Sequence, residues 1–429
     1  MDDYRPRIID NILLDELYAM GAILIEGAKA CGKTRSAEQA AKSRIYMDDP
    51  LKRDQYLQMA ETDISYILGG DTPRLIDEWQ IATKIWDAVR YEVDHRHKDG
   101  QFILTGSAVP PPQEKDRMKH SGAGRIAWIT MRPMTLWESS DSSGDISIEK
   151  LFLATPDTLI RGRNRLTLSD IAFLSCRGGW PRAVDKGFSK AALRQAINYY
   201  EAIVRTDISR VDNIERDEDR TRKIMRSYAR HQGTQASIAT ILQDIKGNDS
   251  TEISDKTIYS YINALKNIFV IEDMPAWSPN LRSKSAIRSL DTRYYVDPSI
   301  ACASLGIGPS DLINDLNTFG FIFECMCMRD LRVYAQSIDG KVYHFRDKTG
   351  LECDAVIHLR NGMYGLIEIK IGGEKLINEG AANLIELRNR IDTTKMRQPS
   401  FEMVLTAVGD IAYKRTDGVI VVPIGCLKN

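Results

Sequence analysis

Residues 27 to 34 read Gly27-Ala28-Lys29-Ala30-Cys31-Gly32-Lys33-Thr34, a complete G-x-x-x-x-G-K-[ST] phosphate-binding loop. The loop follows the apolar run Ala22-Ile23-Leu24-Ile25, with only Glu26 between them. That order constrains the fold more than any other feature, because such a loop belongs between a strand and the helix that follows it. Gly27 and Gly32 let the backbone curl until successive N–H groups converge on phosphate oxygens, and the helix adds the positive end of its dipole. Lys33 has the reach for the β- and γ-phosphates, and Thr34 offers a hydroxyl to Mg²⁺. The expected ligands of this stretch are therefore ATP and Mg²⁺. Cys31 lies inside the loop beside a helix amino terminus, a setting that favours the thiolate, so alkylation there is expected to block ATP binding and ATP to protect against it.

Pro73-Arg74-Leu75-Ile76-Asp77-Glu78 reads as a short buried strand ending in two acids, about 45 residues beyond the loop. Asp77 suits a Mg²⁺ water, and Glu78 suits the water that attacks the γ-phosphate. A third strand, Gln101-Phe102-Ile103-Leu104, ends at Thr105-Gly106-Ser107. Thr105 is the first candidate for a polar sensor of the γ-phosphate and Ser107 the second, although both also suit a turn. Arg125, with Arg132 as runner-up, is the candidate arginine finger in cis or across a subunit boundary, and a surface salt bridge is the competing role. Helical pattern between the strands, as at Ile81 to Tyr91, predicts an α/β fold with a mainly parallel sheet and the ligand at its carboxyl ends.

The motifs Gly27 to Thr34, Leu75-Ile76-Asp77-Glu78-Trp79-Gln80, Leu104-Thr105-Gly106-Ser107, Gly124-Arg125 and Met131-Arg132-Pro133-Met134-Thr135-Leu136-Trp137-Glu138 together resemble those of prokaryotic AAA-type ATPases whose carboxyl-terminal region is called DUF4143. The resemblance implies an AAA+ core over residues 1–155. Arg177-Gly178-Gly179-Trp180-Pro181 and the run Tyr199 to Ile208 resemble the family's linker, placing a helical lid at 156–230.

From Ser237 the pattern shortens. Ile238, Ile241, Leu242 and Ile245 recur at helical spacing, and Ser254 caps a second helix whose Ile258, Ile262 and Leu265 face inward while Lys256, Tyr259 and Asn263 face out. This resembles a winged helix-turn-helix over 231–300, with the basic stretch Arg282 to Arg288 on phosphates and Tyr294-Tyr295-Val296 as a returning strand. DNA binding and simple packing are both consistent with it.

The tail, 301–429, carries a hairpin from Leu351 to Ile371. A three-residue turn with Gly362 left-handed would close on Leu359 and Met363 and set Asp354 opposite Glu368. A two-residue turn would put the two acids on opposite faces. Asp354, Glu368 and Lys370 resemble the PD-(D/E)xK nuclease motif, which implies a nuclease-like α/β fold. Asp354 and Glu368 would then be Mg²⁺ ligands, Glu324 the extra acid of the first helix, and Lys370 the residue that orients or deprotonates water.

Composition limits the rest. With 58 Lys and Arg against 59 Asp and Glu, the chain lacks the uniform basic coat of a general nucleic-acid binder. Seven scattered cysteines without a C-x-x-C pair speak against a disulfide framework or a structural zinc site. No run approaches a membrane span, so a cytoplasmic protein with no membrane partner is expected. DNA and a second copy of the chain are the candidate partners. Two roles remain open: an ATP-driven enzyme acting on DNA, and a non-cleaving ATP-dependent switch or scaffold.

Overall fold

The computed structural model describes residues 4–115, 118–155, 157–246, 254–279 and 289–429. The chain forms two compact units: Met1–Arg132 with Arg205–Arg216 and Ile262–Val270, and a second unit made of the remainder.

The first unit is built on five strands, β1 (Ala22–Glu26), β2 (Ser43–Tyr46), β3 (Arg74–Asp77), β4 (Phe102–Gly106) and β5 (Ile126–Thr130). They pair in the order β2-β3-β4-β1-β5, and every pairing is parallel. A parallel sheet is covered on both faces, which is why these strands are apolar without alternation. Ile23, Ile25, Leu75, Ile76, Ile103 and Leu104 are all fully buried. Register runs from Ala22↔Phe102 to Glu26↔Gly106 between β1 and β4, and Ile76 pairs with Leu104 between β3 and β4. The carboxyl ends of β1, β3 and β4 therefore share one edge of the sheet. Helix α1 (Ile8–Ala19) precedes β1, and α2 (Lys33–Ala40) starts directly out of the phosphate loop.

The second unit contains β6 (Ile146–Ser147), β7 (Gly162–Arg163), β8 (Gly340–Arg346), β9 (Glu352–Leu359), β10 (Tyr364–Lys370), β11 (Phe401–Thr406), β12 (Ile411–Lys414), β13 (Ile420–Pro423) and β14 (Leu427–Lys428). Seven of them form a mixed sheet in the order β7-β12-β13-β11-β10-β9-β8, while β6 pairs with β14. The helix Glu374–Arg390 makes the crossover from β10 to the parallel β11 and buries Gly380, Ala381, Leu384 and Leu387 along one stripe. At the hairpin, Leu359 N–H donates to Met363 O at 2.8 Å and Gly362 has φ 82°, so the turn has three residues. Pairing runs from Tyr364↔His358 to Ile367↔Ala355, and the next position sets Asp354 across from Glu368. This is the register that places both acids on one face.

In the middle of the chain lie the helices Ile238–Lys246 and Asp255–Asn267. Ile258, Ile262 and Leu265 are buried and Tyr259 is exposed, as their spacing requires. Tyr294-Tyr295-Val296 returns through single antiparallel bridges, Ile271↔Tyr295 beside Met274↔Thr292, and not through a continuous strand. Lys246 to Glu252 reads in the sequence as a polar turn; its residues 247–252, like the basic stretch Arg282 to Arg288, lie outside the described residues. Among the described residues no helix is long and apolar enough to cross a membrane.

Candidate functional site

At the carboxyl edge of the first sheet the chain leaves β1 through a tightly bent loop. Gly27 has φ 150°, and a Cβ there would sit 2.1 Å from Met131 O. Ala30 (φ 61°) and Gly32 (φ 112°) continue the left-handed bends that turn the backbone amides inward. Lys33 is buried, and its Nζ donates to Gly27 O and Ala28 O at 2.9 Å each. No carboxylate among the described residues pairs with it, so the loop holds a buried ammonium whose charge is met only by carbonyl oxygens. Such a charge suits an anion. Lys29 is exposed and pairs with Asp207 at 3.2 Å.

Behind the loop runs a chain of hydrogen bonds. Thr34 Oγ1 donates to Asp77 Oδ1 at 2.8 Å, Thr105 Oγ1 donates to the same oxygen, and Glu78 N–H donates to Thr105 Oγ1 at 3.2 Å. The Glu78 carboxylate accepts from Ser107 Oγ at 2.8 Å and from Gln80 Nε2. Both sensor candidates are thus in the network, Thr105 on Asp77 and Ser107 on Glu78. Glu78 stands at φ 53°, a left-handed conformation that costs a non-glycine residue about 1 kcal/mol and turns its carboxylate away from the line of β3. Burial pushes the Asp77 carboxyl up, hydrogen bonds from Thr105 and Thr34 pull it back, and neighbouring Glu78 adds to the rise. The hydroxyl of Thr34 and the carboxylate of Asp77 form an all-oxygen pair of the kind Mg²⁺ takes, so these two residues would hold the ion, which would neutralise phosphate charge.

Two expectations change. Arg125 precedes β5, and its carbonyl accepts from Ala22 N–H at 3.0 Å, so it sits at the amino edge of the sheet. The phosphate loop leaves the opposite edge, about 17 Å away along a five-residue strand. Arg125 Nε instead bonds Asp94 at 2.8 Å, and it does not act in cis on its own phosphate loop. Arg132, which follows β5, stands at the loop's edge. Cys31 is fully buried with Sγ 3.5 Å from Met131 O, so an alkylating reagent has no path to it in the folded chain.

Sequence reasoning missed Arg7. It is 7% exposed and donates from Nη1 to Cys31 O and from Nη2 to Arg132 O, both at 2.9 Å, tying the phosphate loop to the end of β5. No motif surrounds it, and its partners are distant in sequence. Gln80 was also missed as a partner of Glu78, although its place two residues after that acid is a usable signal.

In the second unit Lys370 Nζ lies 2.6 Å from Glu368 Oε2 and 3.5 Å from Asp354 Oδ2, while Ile369 N–H donates to Asp354 Oδ2 at 2.7 Å. Burial pushes Glu368 up to about 8, with Asp354 adding to the rise and Lys370 opposing it. Burial lowers Lys370, but Asp354 and Glu368 reverse this and leave it above its ordinary value. Glu324, on the helix Leu316–Gln336, is driven well up by burial and then by Asp354, and Tyr294 donates its hydroxyl to it. Among the described residues no group of three His, Cys, Asp or Glu side chains is arranged to hold a metal. The donor set here is two carboxylates with an ammonium between them, and Glu324 is engaged by a phenol.

The parallel sheet, the loop after β1 and the acids after β3 define a P-loop ATPase fold. Comparison with family models matches an AAA domain at residues 20–140, a domain of unknown function, DUF8612, at 168–311, and DUF4143 at 319–427. The chain thus carries an AAA domain in its first third and a DUF4143 domain at its carboxyl-terminal end. No curated protein matches it. Among solved structures it is similar to a Walker-type ATPase of Pyrococcus abyssi, at 13% identity and TM-score 0.41 over 70% of this chain and 99% of that one. It is also similar to the ORC2 protein of Aeropyrum pernix in ADPNP–ADP complexes, at 13% identity and TM-score 0.31 over 73% and 96%. The ORC1 protein of the same organism in complex with DNA follows at 12% identity and TM-score 0.27 over 71% and 93%.

Proposed function

We propose that the protein binds ATP with Mg²⁺ on Gly27 to Thr34 and hydrolyses it, coupling turnover to DNA binding. The observation that carries the hydrolytic part is the hydrogen-bonded chain from Thr34 through Asp77 and Thr105 to the backbone N–H of Glu78, whose carboxylate is in turn held by Ser107 and Gln80. In this reading Lys33 neutralises β- and γ-phosphate oxygens, Thr34 and Asp77 serve the metal, and Glu78 accepts the proton of the attacking water while Thr105 and Ser107 hold the two acids in place. Arg125 acts on the phosphate loop of a second copy. The organisation is ATPase at 1–155, lid at 156–230, winged helix at 231–300 and nuclease-like tail at 301–429, with DNA lying along the exposed face of Asp255–Asn267 that carries Lys256, Tyr259 and Asn263. Phosphate release by the purified chain, compared with Lys33→Ala, tests the hydrolytic part. Wild-type turnover in the variant overturns it. A gel shift with and without ATP tests the coupling, and DNA binding indifferent to nucleotide refutes that coupling.

A second reading adds cleavage, and one observation favours it: the hairpin register brings Asp354, Glu368 and Lys370 together on one face. The engagement of Glu324 by Tyr294 favours the alternative, a nuclease-derived tail that binds nucleic acid or protein without cutting. Incubation of labelled DNA and RNA with Mg²⁺ or Mn²⁺ separates the two.

A further inference from the structure

Arg74 opens β3 at the end opposite Asp77, about 10 Å along the strand from the nucleotide edge. It is 8% exposed, yet among the described residues no carboxylate pairs with it. Nε donates to Ile67 O at 2.7 Å and Nη1 to Ser43 Oγ at 3.1 Å, and Nη2 has no acceptor among the described residues. An arginine buried without an anionic partner carries a desolvation cost that two neutral hydrogen bonds offset only in part.

The seat of this guanidinium is built. Gly70 has φ 139°, and a Cβ there would lie 2.4 Å from Arg74 Nη1 and 2.7 Å from Ser43 Oγ, so only glycine lets the head group lie against that turn. Ser43 Oγ is itself fixed by donating to Asp71 O at 2.6 Å. Arg74 forms one wall of a 420 Å³ pocket shared with Arg44, Ile45, Tyr56, Tyr66 and Gly69. Tyr66 is half exposed and Tyr56 buried, which gives the pocket an aromatic side. Arg44 stands 3.9 Å from Glu38, so its charge is partly answered while that of Arg74 is not.

We infer that this pocket is a second ligand site, separate from the phosphate loop, that takes a small phosphate monoester carried on a flat ring, such as a nucleoside monophosphate. The Arg74 guanidinium meets the phosphate, Arg44 assists from the rim, and Tyr66 covers the ring. The alternative is that Arg74 merely caps the short helix ending at Leu68 through Ile67 O.

The test uses the full chain carrying Lys33→Ala, which silences the nucleotide loop. Inorganic phosphate and AMP are titrated by calorimetry and followed by thermal melting, since a ligand that binds only the folded state raises Tm. Both probes should bind, AMP more tightly than phosphate. Adding Tyr66→Ala should bring AMP down to the affinity of phosphate, and Arg44→Ala should weaken both. Arg74→Leu should reduce binding by roughly tenfold or more, the loss expected for a charge-assisted hydrogen bond. Tyr66 and Arg44 are exposed enough that their variants fold even if Arg74→Leu does not. Absence of binding at millimolar concentrations overturns the proposal, as does binding that none of these three substitutions weakens.

Discussion

Replacing Glu78 by Gln separates the chemistry of this carboxylate from its structural role. Gln fits the same volume and the same left-handed backbone at φ 53°, so the strain is common to both residues and cancels. The oxygen that accepts from Ser107 Oγ at 2.8 Å and from Gln80 Nε2 can be kept by the amide. Fold stability and ATP affinity should therefore change by less than about 1 kcal/mol, the net worth of one neutral hydrogen bond. An amide cannot accept the proton of the attacking water, and loss of a positioned general base slows such reactions by about 10²- to 10⁴-fold, or roughly 3 to 5 kcal/mol in the barrier. Equilibrium titration with ATP gives the affinity, and single-turnover phosphate release gives the chemical step. Turnover within about tenfold of wild type would refute the assignment of Glu78 as base. Equal losses of affinity and turnover would make it a structural residue instead.

The remaining expectations concern the loop and the tail. Gly27→Ala forces a Cβ to within 2.1 Å of Met131 O at a φ of 150°, so nucleotide binding should be lost, and a titration unchanged from wild type would contradict the loop geometry. Cys31, being fully buried, should resist iodoacetamide in the native chain and react only on unfolding, which peptide mapping after timed labelling will show. Glu368 has a folded value of about 8 against an ordinary 4.5, a raised carboxyl. Its contribution to stability is therefore fully present below pH 4.5 and is lost as pH rises through 8, and Glu368→Gln should flatten the pH dependence of denaturant melts across that window. If the tail cleaves nucleic acid, Asp354→Ala should abolish metal-dependent cutting and leave ATP hydrolysis intact, and loss of both activities together would show that they are not independent.

Residues that carry a local backbone requirement were legible in the sequence. The phosphate loop needs its glycines and its Lys-Thr in one contiguous stretch after a strand, so eight adjacent residues announced it. The acids Asp77 and Glu78 followed from the same logic, a short apolar run ending in charge. The tail hairpin was half legible. The pattern of apolar and charged residues showed that two registers competed, but a local bond, Leu359 N–H to Met363 O, decided between them and so decided which face holds Glu368.

Tertiary structure alone decided the rest, because the relevant partners meet only through packing. The strand order β2-β3-β4-β1-β5 sets β5 beside β1, and that neighbour relation puts Arg125 at the edge of the sheet opposite its own phosphate loop. Arg7 reaches Cys31 and Arg132 across long sequence separations, and Tyr294 reaches Glu324 in the same way, with no periodicity or motif to mark either contact. Arg74 reads in the sequence as an unremarkable residue at a strand start. Only the folded chain shows that its charge is buried without a carboxylate, because exposure and pairing are properties of the packed surroundings and not of the residue.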